Sequence, residues 1–367
     1  MSHEVTITFF RVSSCGYYER KPISPTGAVG AAPATPTPTL DEIAAGKPRA
    51  RAFGSLGPTL MDLIKWSAAP KSLTETQTYV PHSHASELPV FLAEITPSNN
   101  SCLLTLWNQT HDGDGIPSLL GTSSVGNAQM ELSEVKAGHI PGFATYFWFI
   151  PQFDVVATVM VGRKYAGLTA MQDYVKGFLR QYSKHAVKDD SKPDAKRTIF
   201  SYRKDAGSPL GKYTPAFRVV PVTKAADLQY LIDNADSITK MYRRDEFSMQ
   251  NRKSKADWQH LLSSLSMGTY SPNLTSTRLT LETDIQVTSQ DVSSIIDEWK
   301  KNNGSSEYSD YGFRLQGESQ PRWLSGMVAR DEFTLRLNKV NPQLISGPVM
   351  LTALEAQAGE ILKLLSS

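Results

Sequence analysis

The sequence predicts an α+β protein with antiparallel sheets built of hairpins and with helices packed on one face. Two observations carry this prediction. Strand-like segments follow one another across short turns, and segments with apolar residues at helical spacing occur singly between them. At 367 residues and 40% hydrophobic content, the chain is long enough for two folding units. We expect an N-terminal domain at 1–188, with a mobile Pro/Thr-rich insertion near 27–50, and a C-terminal domain at 189–367.

The most apolar stretch, GFATYFWFIPQFDVVATVMVG from Gly142 to Gly162, predicts a buried hairpin. It is rich in residues that favour strands, and Pro151 and Asp154 interrupt it. A membrane-spanning helix needs about 20 apolar residues of good helix propensity. We therefore predict two strands around the turn PQFD and no direct insertion into a membrane.

Other elements of the first half follow the same reasoning. EVTITFFRV predicts a strand, TLMDLIKWS a short helix, and PVFLAEITP with CLLTLWNQT a second hairpin. After the buried hairpin, apolar residues from Met171 to Tyr182 recur at helical spacing. Thr169–Gln172 form a capping-box pattern, so we predict that a helix begins there.

The second half also mixes strands and helices. We predict strands at RTIFSYR and AFRVVPV, a long helix from Ala225 to about Phe247, and another helix at KADWQHLLSSLS. The alternation in STRLTLETDIQV predicts a strand with Leu279, Leu281 and Ile285 facing inward. A helix at DVSSIIDEWKKN, three strands and an amphipathic helix complete the chain.

Positive charge is concentrated in the middle of the chain. Between Arg163 and His260 there are 20 Lys and Arg against 11 Asp and Glu, whereas the net charge of the whole chain is only +2. Such an imbalance indicates a surface that attracts a polyanion. The candidate nucleic-acid-binding residues form two clusters, of which the first repeats every four residues along the predicted helix. The clusters are Lys176, Arg180, Lys184 and Lys188, and Lys240, Arg243, Arg244, Arg252, Lys253 and Lys255.

These residue types suit phosphate contacts, which neutralise charge without reading sequence. Tyr242, Phe247 and Trp258 lie among the second cluster and have the rings needed to stack on unpaired bases. The alternative is an ordinary solvated helix face with core aromatic residues, and both interpretations stay open.

No motif identifies a reaction. HDGDG places His111, Asp112 and Asp114 together, and His82 and His84 add two potential metal ligands, but Asp and Gly between strands are more often turn formers. Cys15 lacks a Cys/His signature, although its place after the first strand suggests exposure, and Cys102 begins an apolar strand. We assign no catalytic residue, no metal site and no cofactor.

The N-terminal sequence MSHEVTITFF has no basic n-region and no long apolar run. We therefore expect no signal peptide, a cytoplasmic location and two reduced cysteines.

The first half resembles RexA-type phage-exclusion proteins. The residues that carry the resemblance are GFATYFWFIPQFDVVATVMVGRKYAGLTAMQDYVKGFL: a Gly-Phe lead-in, an aromatic strand, an acidic turn, a second strand and a helix. The resemblance implies a dimeric, largely sequence-independent DNA-binding protein that acts in defence against phage together with a membrane partner. It carries over no catalytic residue.

We therefore expect a non-enzymatic nucleic-acid-binding protein that favours DNA, forms a homodimer and contacts a protein partner. Two alternatives stay open. One is a metal-dependent nuclease using His111, Asp112 and Asp114. The other is a protein-interaction or phage structural component, which needs no basic surface.

Overall fold

The computed structural model of the protein describes most of the chain. The described residues are 2–19, 50–68, 71–81, 88–110, 117–127, 130–131, 138–162, 167–188, 199–248, 276–302, 308–337 and 344–365. The Pro/Thr-rich stretch predicted as a mobile insertion lies outside them, apart from residue 50.

Strands predominate among the described residues. In chain order they are β1 (Ser2–Glu19), β2 (Arg51–Phe53), β3 (Val90–Pro97), β4 (Cys102–Gln109), β5 (Ser118–Leu120), β6 (Met130–Glu131), β7 (His139–Ile150), β8 (Val155–Val161), β9 (Ala186–Lys188), β10 (Ile199–Tyr202), β11 (Tyr213–Pro221), β12 (Ile238–Ser248), β13 (Ser276–Asp284), β14 (Tyr308–Leu315), β15 (Arg322–Trp323) and β16 (Arg330–Arg336). The α-helices are α1 (Leu56–Ala68), α2 (Leu168–Gln181), α3 (Ala225–Asp233), α4 (Ser289–Asn302), α5 (Gly347–Ala356) and α6 (Ala358–Ile361).

One long strand, β1, organises the larger sheet. It pairs with β8 along one edge, and along the other edge with β16 over its first part and β11 over its second part. The sheet continues from β8 through β7 and β4 to β3, always antiparallel. Because β11 and β16 come after residue 188, this sheet takes strands from both sides of the predicted boundary. The division into 1–188 and 189–367 stays a prediction.

Helices cover both faces of the larger sheet. On one face, α1 and α2 pack against Phe147 and Phe149 of β7. On the opposite face, α5 and α6 pack against Trp148 and Ile150 of the same strand. Successive side chains of a strand point to opposite faces, so β7 contributes to two cores. The α+β class with antiparallel sheets is confirmed, but the helices of this sheet lie on two faces where the sequence predicted one.

The stretch from Gly142 to Gly162 forms the predicted hairpin. β7 pairs antiparallel with β8, and the turn at Pro151–Phe153 ends at Asp154, whose φ of 50° is left-handed. Within the described ranges, no helix combines the length and the apolar character needed to cross a membrane.

The helix that follows the hairpin begins at Leu168, directly after Gly167 at φ 67°. No side chain caps this end, so the predicted capping box at Thr169–Gln172 is wrong. Thr169 lies inside the first turn, and the left-handed glycine sets the start of the helix. Gln172 has a tertiary role instead, because its Oε1 accepts a hydrogen bond of 2.9 Å from Val219 N of β11.

A smaller sheet lies between β11 and β16 in the chain, with the strand order β13, β12, β14, β15. Residues of α3 and α4 pack on one of its faces around Phe313, with Ile296 and Trp299 of α4 wholly or almost wholly buried. For this sheet, the helices do lie on one face.

The predicted long helix from Ala225 to about Phe247 is wrong. The helix α3 ends at Asp233, and β12 is an inner strand hydrogen-bonded to both β13 and β14. Ile238 and Tyr242 are buried four residues apart, a spacing that fits a helix and a strand equally well. The two neighbouring strands decide between them. The second predicted helix, KADWQHLLSSLS, lies outside the described residues.

The predicted strand at STRLTLETDIQV is present as β13, but one of its three predicted inward-facing side chains is exposed. Ile285 packs against the core of the smaller sheet and Leu279 is half-buried, whereas Leu281 is 48% exposed. β13 is an edge strand, and its Leu281 lies beyond the helices that cover the sheet.

Both cysteines are free and buried, as was predicted for Cys102. Burial raises the pKa of Cys15 to about 11 and that of Cys102 to about 12. The suggested exposure of Cys15 is therefore wrong, and neither thiol is a nucleophile at neutral pH, because the thiolate is the reactive form.

Candidate nucleic-acid interface

The four cations of the first cluster are all exposed, around the C-terminal end of α2. Lys176 and Arg180 lie one turn apart on the helix. The helix ends at Gln181, so Lys184 follows it and Lys188 lies on β9. The prediction of one continuous helical stripe is wrong for the last two residues.

Buried hydrogen bonds fix the chain where it leaves α2. The hydroxyl of Tyr17 donates to Leu179 O at 2.7 Å and also contacts the hydroxyl of Ser183. The amide of Lys184 donates to Asp62 Oδ2 of α1 at 2.9 Å. Burial raises the pKa of Tyr17, which therefore keeps its proton for these contacts. The backbone that carries Lys184 is thus anchored to β1 and α1.

Two half-buried aromatic rings, Trp66 and Tyr182, lie beside Lys71 and Lys188. Trp66 of α1 contacts Phe178 and Tyr182, with ring centroids 5.5 and 5.0 Å apart. The ammonium of Lys71 lies 5.5 Å from the Trp66 ring, and that of Lys188 lies 5.7 Å from the Tyr182 ring. Each ring therefore has a cation within cation–π distance.

We call this region the basic–aromatic surface, and define it by Trp66, Lys71, Lys176, Arg180, Tyr182, Lys184 and Lys188. Sequence reasoning missed Trp66, because its contact with Tyr182 joins segments more than 100 residues apart, and it missed Lys71, whose ammonium lies over Trp66. The available signal was the amphipathic helix LMDLIKW, which ends with an aromatic residue beside a lysine.

The charges of this surface are largely uncompensated. Across the described ranges, no carboxylate forms an ion pair with Lys176, Arg180, Lys184 or Lys188. Lys71 is different, because its attraction contributes to the lowered pKa of Glu75, after the hydrogen bonds that Glu75 receives from Ser72. Four exposed cations that form no ion pair with the carboxylates of the described ranges suit a polyanion better than a neutral ligand.

The described residues of the second cluster, Lys240, Arg243 and Arg244, lie on β12 of the smaller sheet and contact neighbouring side chains. Lys240 forms ion pairs with Glu282 and Asp284, and Arg243 Nε contacts Asp245 at 3.1 Å. The guanidinium of Arg244 stacks 3.6 Å above the ring of Trp323. Tyr242 is buried. The remaining predicted residues, Arg252, Lys253, Lys255 and Trp258, lie outside the described residues, and the side chain of Phe247 is not described.

Asp310 on β14 is a fully buried carboxylate beside this second cluster. Its two oxygens accept hydrogen bonds from Ser325 N at 3.0 Å and Ser325 Oγ at 2.6 Å. Burial raises the pKa of Asp310, and the Ser325 hydrogen bonds and the charge of Arg244 offset only part of this effect. These contacts fix the segment after β15 to the sheet, which is a structural role.

The variant Asp310→Asn is expected to gain stability relative to the wild type as pH rises from about 4 to 7. Because the pKa of Asp310 is raised in the folded protein, folding favours the protonated carboxyl. This contribution to the stability of the wild type is complete below the unfolded pKa of about 3.9 and is lost as pH rises through the folded pKa. Asparagine keeps an acceptor for Ser325 N and does not ionise. Urea denaturation of both proteins at several pH values measures the difference, and a difference independent of pH would contradict the prediction.

The candidate metal ligands cannot be placed against one another. His82, His84, His111, Asp112 and Asp114 all lie outside the described residues. Among the residues that are described, no three His, Cys, Asp or Glu side chains come close enough to hold a metal ion.

No family model matches the chain, and neither the curated proteins nor the solved structures give a match. The role of the basic–aromatic surface therefore rests on its own chemistry.

Proposed function

We propose that the protein binds nucleic acid, DNA in preference, through the basic–aromatic surface and without strong dependence on base sequence. Two observations carry this proposal. The four cations of the first cluster are exposed and form no ion pair within the described ranges. Lys188 also lies over Tyr182, whose ring contacts Trp66. Lysine and arginine contacts to phosphate supply affinity that does not depend on sequence.

The aromatic pair supports nucleic acid over other polyanions. Trp66 and Tyr182 are half-buried, and each lies beside a lysine, Lys71 and Lys188 respectively. Base stacking on aromatic side chains contributes about 1–3 kcal/mol per base and tolerates any base. An inorganic polyphosphate, or a peptide of aspartate and glutamate alone, has no ring to stack.

Resemblance to RexA-type proteins supports the preference for DNA and a cytoplasmic role in phage exclusion. We include that role in the proposal, with binding rather than catalysis as the activity. The metal-dependent nuclease remains a second candidate through His111, Asp112 and Asp114, which lie outside the described residues.

The proposal is tested by equilibrium binding of the purified protein to labelled duplex DNA, single-stranded DNA and RNA over a salt series, with and without Mg²⁺. We expect binding whose logarithmic affinity falls linearly with the logarithm of salt concentration, with the nucleic acid left intact. Absence of binding to all three at low salt would overturn the proposal. Loss of substrate only with Mg²⁺ would replace it by the nuclease.

A further inference from the structure

The outer edge of β13 is an exposed strand edge. β13 pairs with β12 over all nine of its residues, and no other described strand pairs with it. Every residue from Thr280 to Asp284 is exposed, including 48% of Leu281. This edge therefore presents backbone donors and acceptors to solvent beside an apolar side chain.

Two of the features that normally block such an edge, proline and a bulge, are missing from β13. Edge strands are commonly protected by charged side chains, above all lysine, by proline or by a bulge. The sequence STRLTLETD contains neither lysine nor proline, and its pairing with β12 runs through nine consecutive positions without a shift of register. The charges of this edge, at positions 278, 282 and 284, are of both signs. A regular edge is a template for a further strand whose charges complement its own.

The sequence of β13 is complementary to itself in one antiparallel register. If a two-fold axis passes through Thr280, Leu279 of one copy lies opposite Leu281 of the other. In the sequence, the same register sets an arginine at position 278 against Glu282 and a threonine at 277 against Thr283. If the axis passes instead through residue 279 or 281, the leucine at that position lies on the axis. The other leucine then lies opposite a threonine. Apolar and opposite-charge pairs across strands are the favourable ones.

We propose that two copies of the chain form a homodimer by pairing their β13 strands antiparallel about Thr280. The two smaller sheets then join into one continuous sheet, and the exposed Leu281 is covered by Leu279 of the partner subunit. A two-fold interface of this kind uses the same patch on both copies and closes on itself. The dimer does not depend on nucleic-acid binding, because no residue of the basic–aromatic surface lies on the smaller sheet.

Oxidative cross-linking of Thr280→Cys tests the register directly. Directly opposed residues of an antiparallel pair have Cα atoms about 4.5–5.5 Å apart, within the range that a disulfide spans. The matched control is Thr283→Cys, which is also exposed. In the proposed register, position 283 of one copy lies six residues along the strand from position 283 of the other, so the two Cα atoms are about 20 Å apart. Burial keeps the two native thiols out of the reaction.

We expect a disulfide-linked dimer from Thr280→Cys and none from Thr283→Cys at the same protein concentration. No cross-link from either variant, or equal cross-linking from both, would overturn the proposed pairing.

Sedimentation equilibrium of uncross-linked protein provides an independent test. Leu281→Arg is expected to weaken self-association at least tenfold, because it places a charge in the apolar pair. Leu210→Arg is the matched control, since Leu210 is 49% exposed and lies outside any strand. A wild type that stays monomeric at every concentration, or equal loss in both variants, would contradict the proposal. Failure here leaves nucleic-acid binding unaffected, and failure of nucleic-acid binding leaves the dimer unaffected.

Discussion

Replacing Lys176, Arg180, Lys184 and Lys188 together by alanine is expected to lower the affinity for duplex DNA on the order of 10³-fold at about 0.1 M salt. Each phosphate contact contributes close to one unit to the slope of log affinity against log salt concentration. Loss of four contacts should therefore flatten that slope by about three to four, and by the same amount for unrelated DNA sequences. Fluorescence anisotropy over a salt series measures both quantities.

The control for this variant is Lys240→Ala with Arg243→Ala. These two cations are already held by Glu282, Asp284 and Asp245, so their loss should change the slope by less than about one. All four replaced residues of the first cluster are exposed, and the fold should be unchanged by circular dichroism. If the control loses half as much log affinity as the quadruple variant, the loss per removed charge is equal, and overall charge rather than the basic–aromatic surface determines binding.

The variant Gly177→Ala is expected to destabilise the protein by about 2–3 kcal/mol, although glycine in a helix is normally less stable than alanine by about 0.5–1 kcal/mol. A Cβ at position 177 would lie 2.6 Å from Thr78 O and 2.9 Å from Thr78 C. The backbone at Thr78 cannot retreat easily, because Thr78 Oγ1 donates to Tyr174 O and the Tyr174 hydroxyl donates to Thr76 O. Urea denaturation measures the change.

Gly359→Ala is the matched control for this prediction. Gly359 also lies in a helix, α6, and nothing comes within 4 Å of a Cβ built there. The control should be neutral or more stable than the wild type by up to about 1 kcal/mol. If Gly177→Ala is stabilised as much as Gly359→Ala, the close contact between α2 and the segment at Thr78 is wrong.

Local patterns in the sequence were sufficient for the hairpins and for the helices of the first half. The strands on either side of Pro151 were predicted because strand-favouring residues dominate and the turn residues are distinctive. The segment of β12 was not predicted as a strand. The spacing of Ile238 and Tyr242 fits a helix and a strand, and the pairing with β13 and β14 joins residues far apart in the sequence. The pairing of β11 and β16 with β1 also joins residues far apart in the sequence, so local patterns could not predict it.

The candidate site was predicted only in part. Charge counting along the chain located Lys176 and Arg180, whose spacing on α2 is local. Counting could not show that Lys240 and Arg243 are neutralised by neighbouring carboxylates, which depends on strand pairing. Nor could it bring Trp66 beside Tyr182, because that contact is made by the packing of α1 on α2.

Photo-cross-linking tests the location of the proposed nucleic-acid interface most directly. A single-stranded oligonucleotide that carries 5-iodouracil is bound at low salt and irradiated, and the cross-linked peptides are identified by mass spectrometry. Because iodouracil reacts with aromatic side chains in stacking contact, we predict adducts at Trp66 or Tyr182. Efficient cross-linking confined to residues 238–248, with none at Trp66 or Tyr182, would contradict the assignment of the basic–aromatic surface.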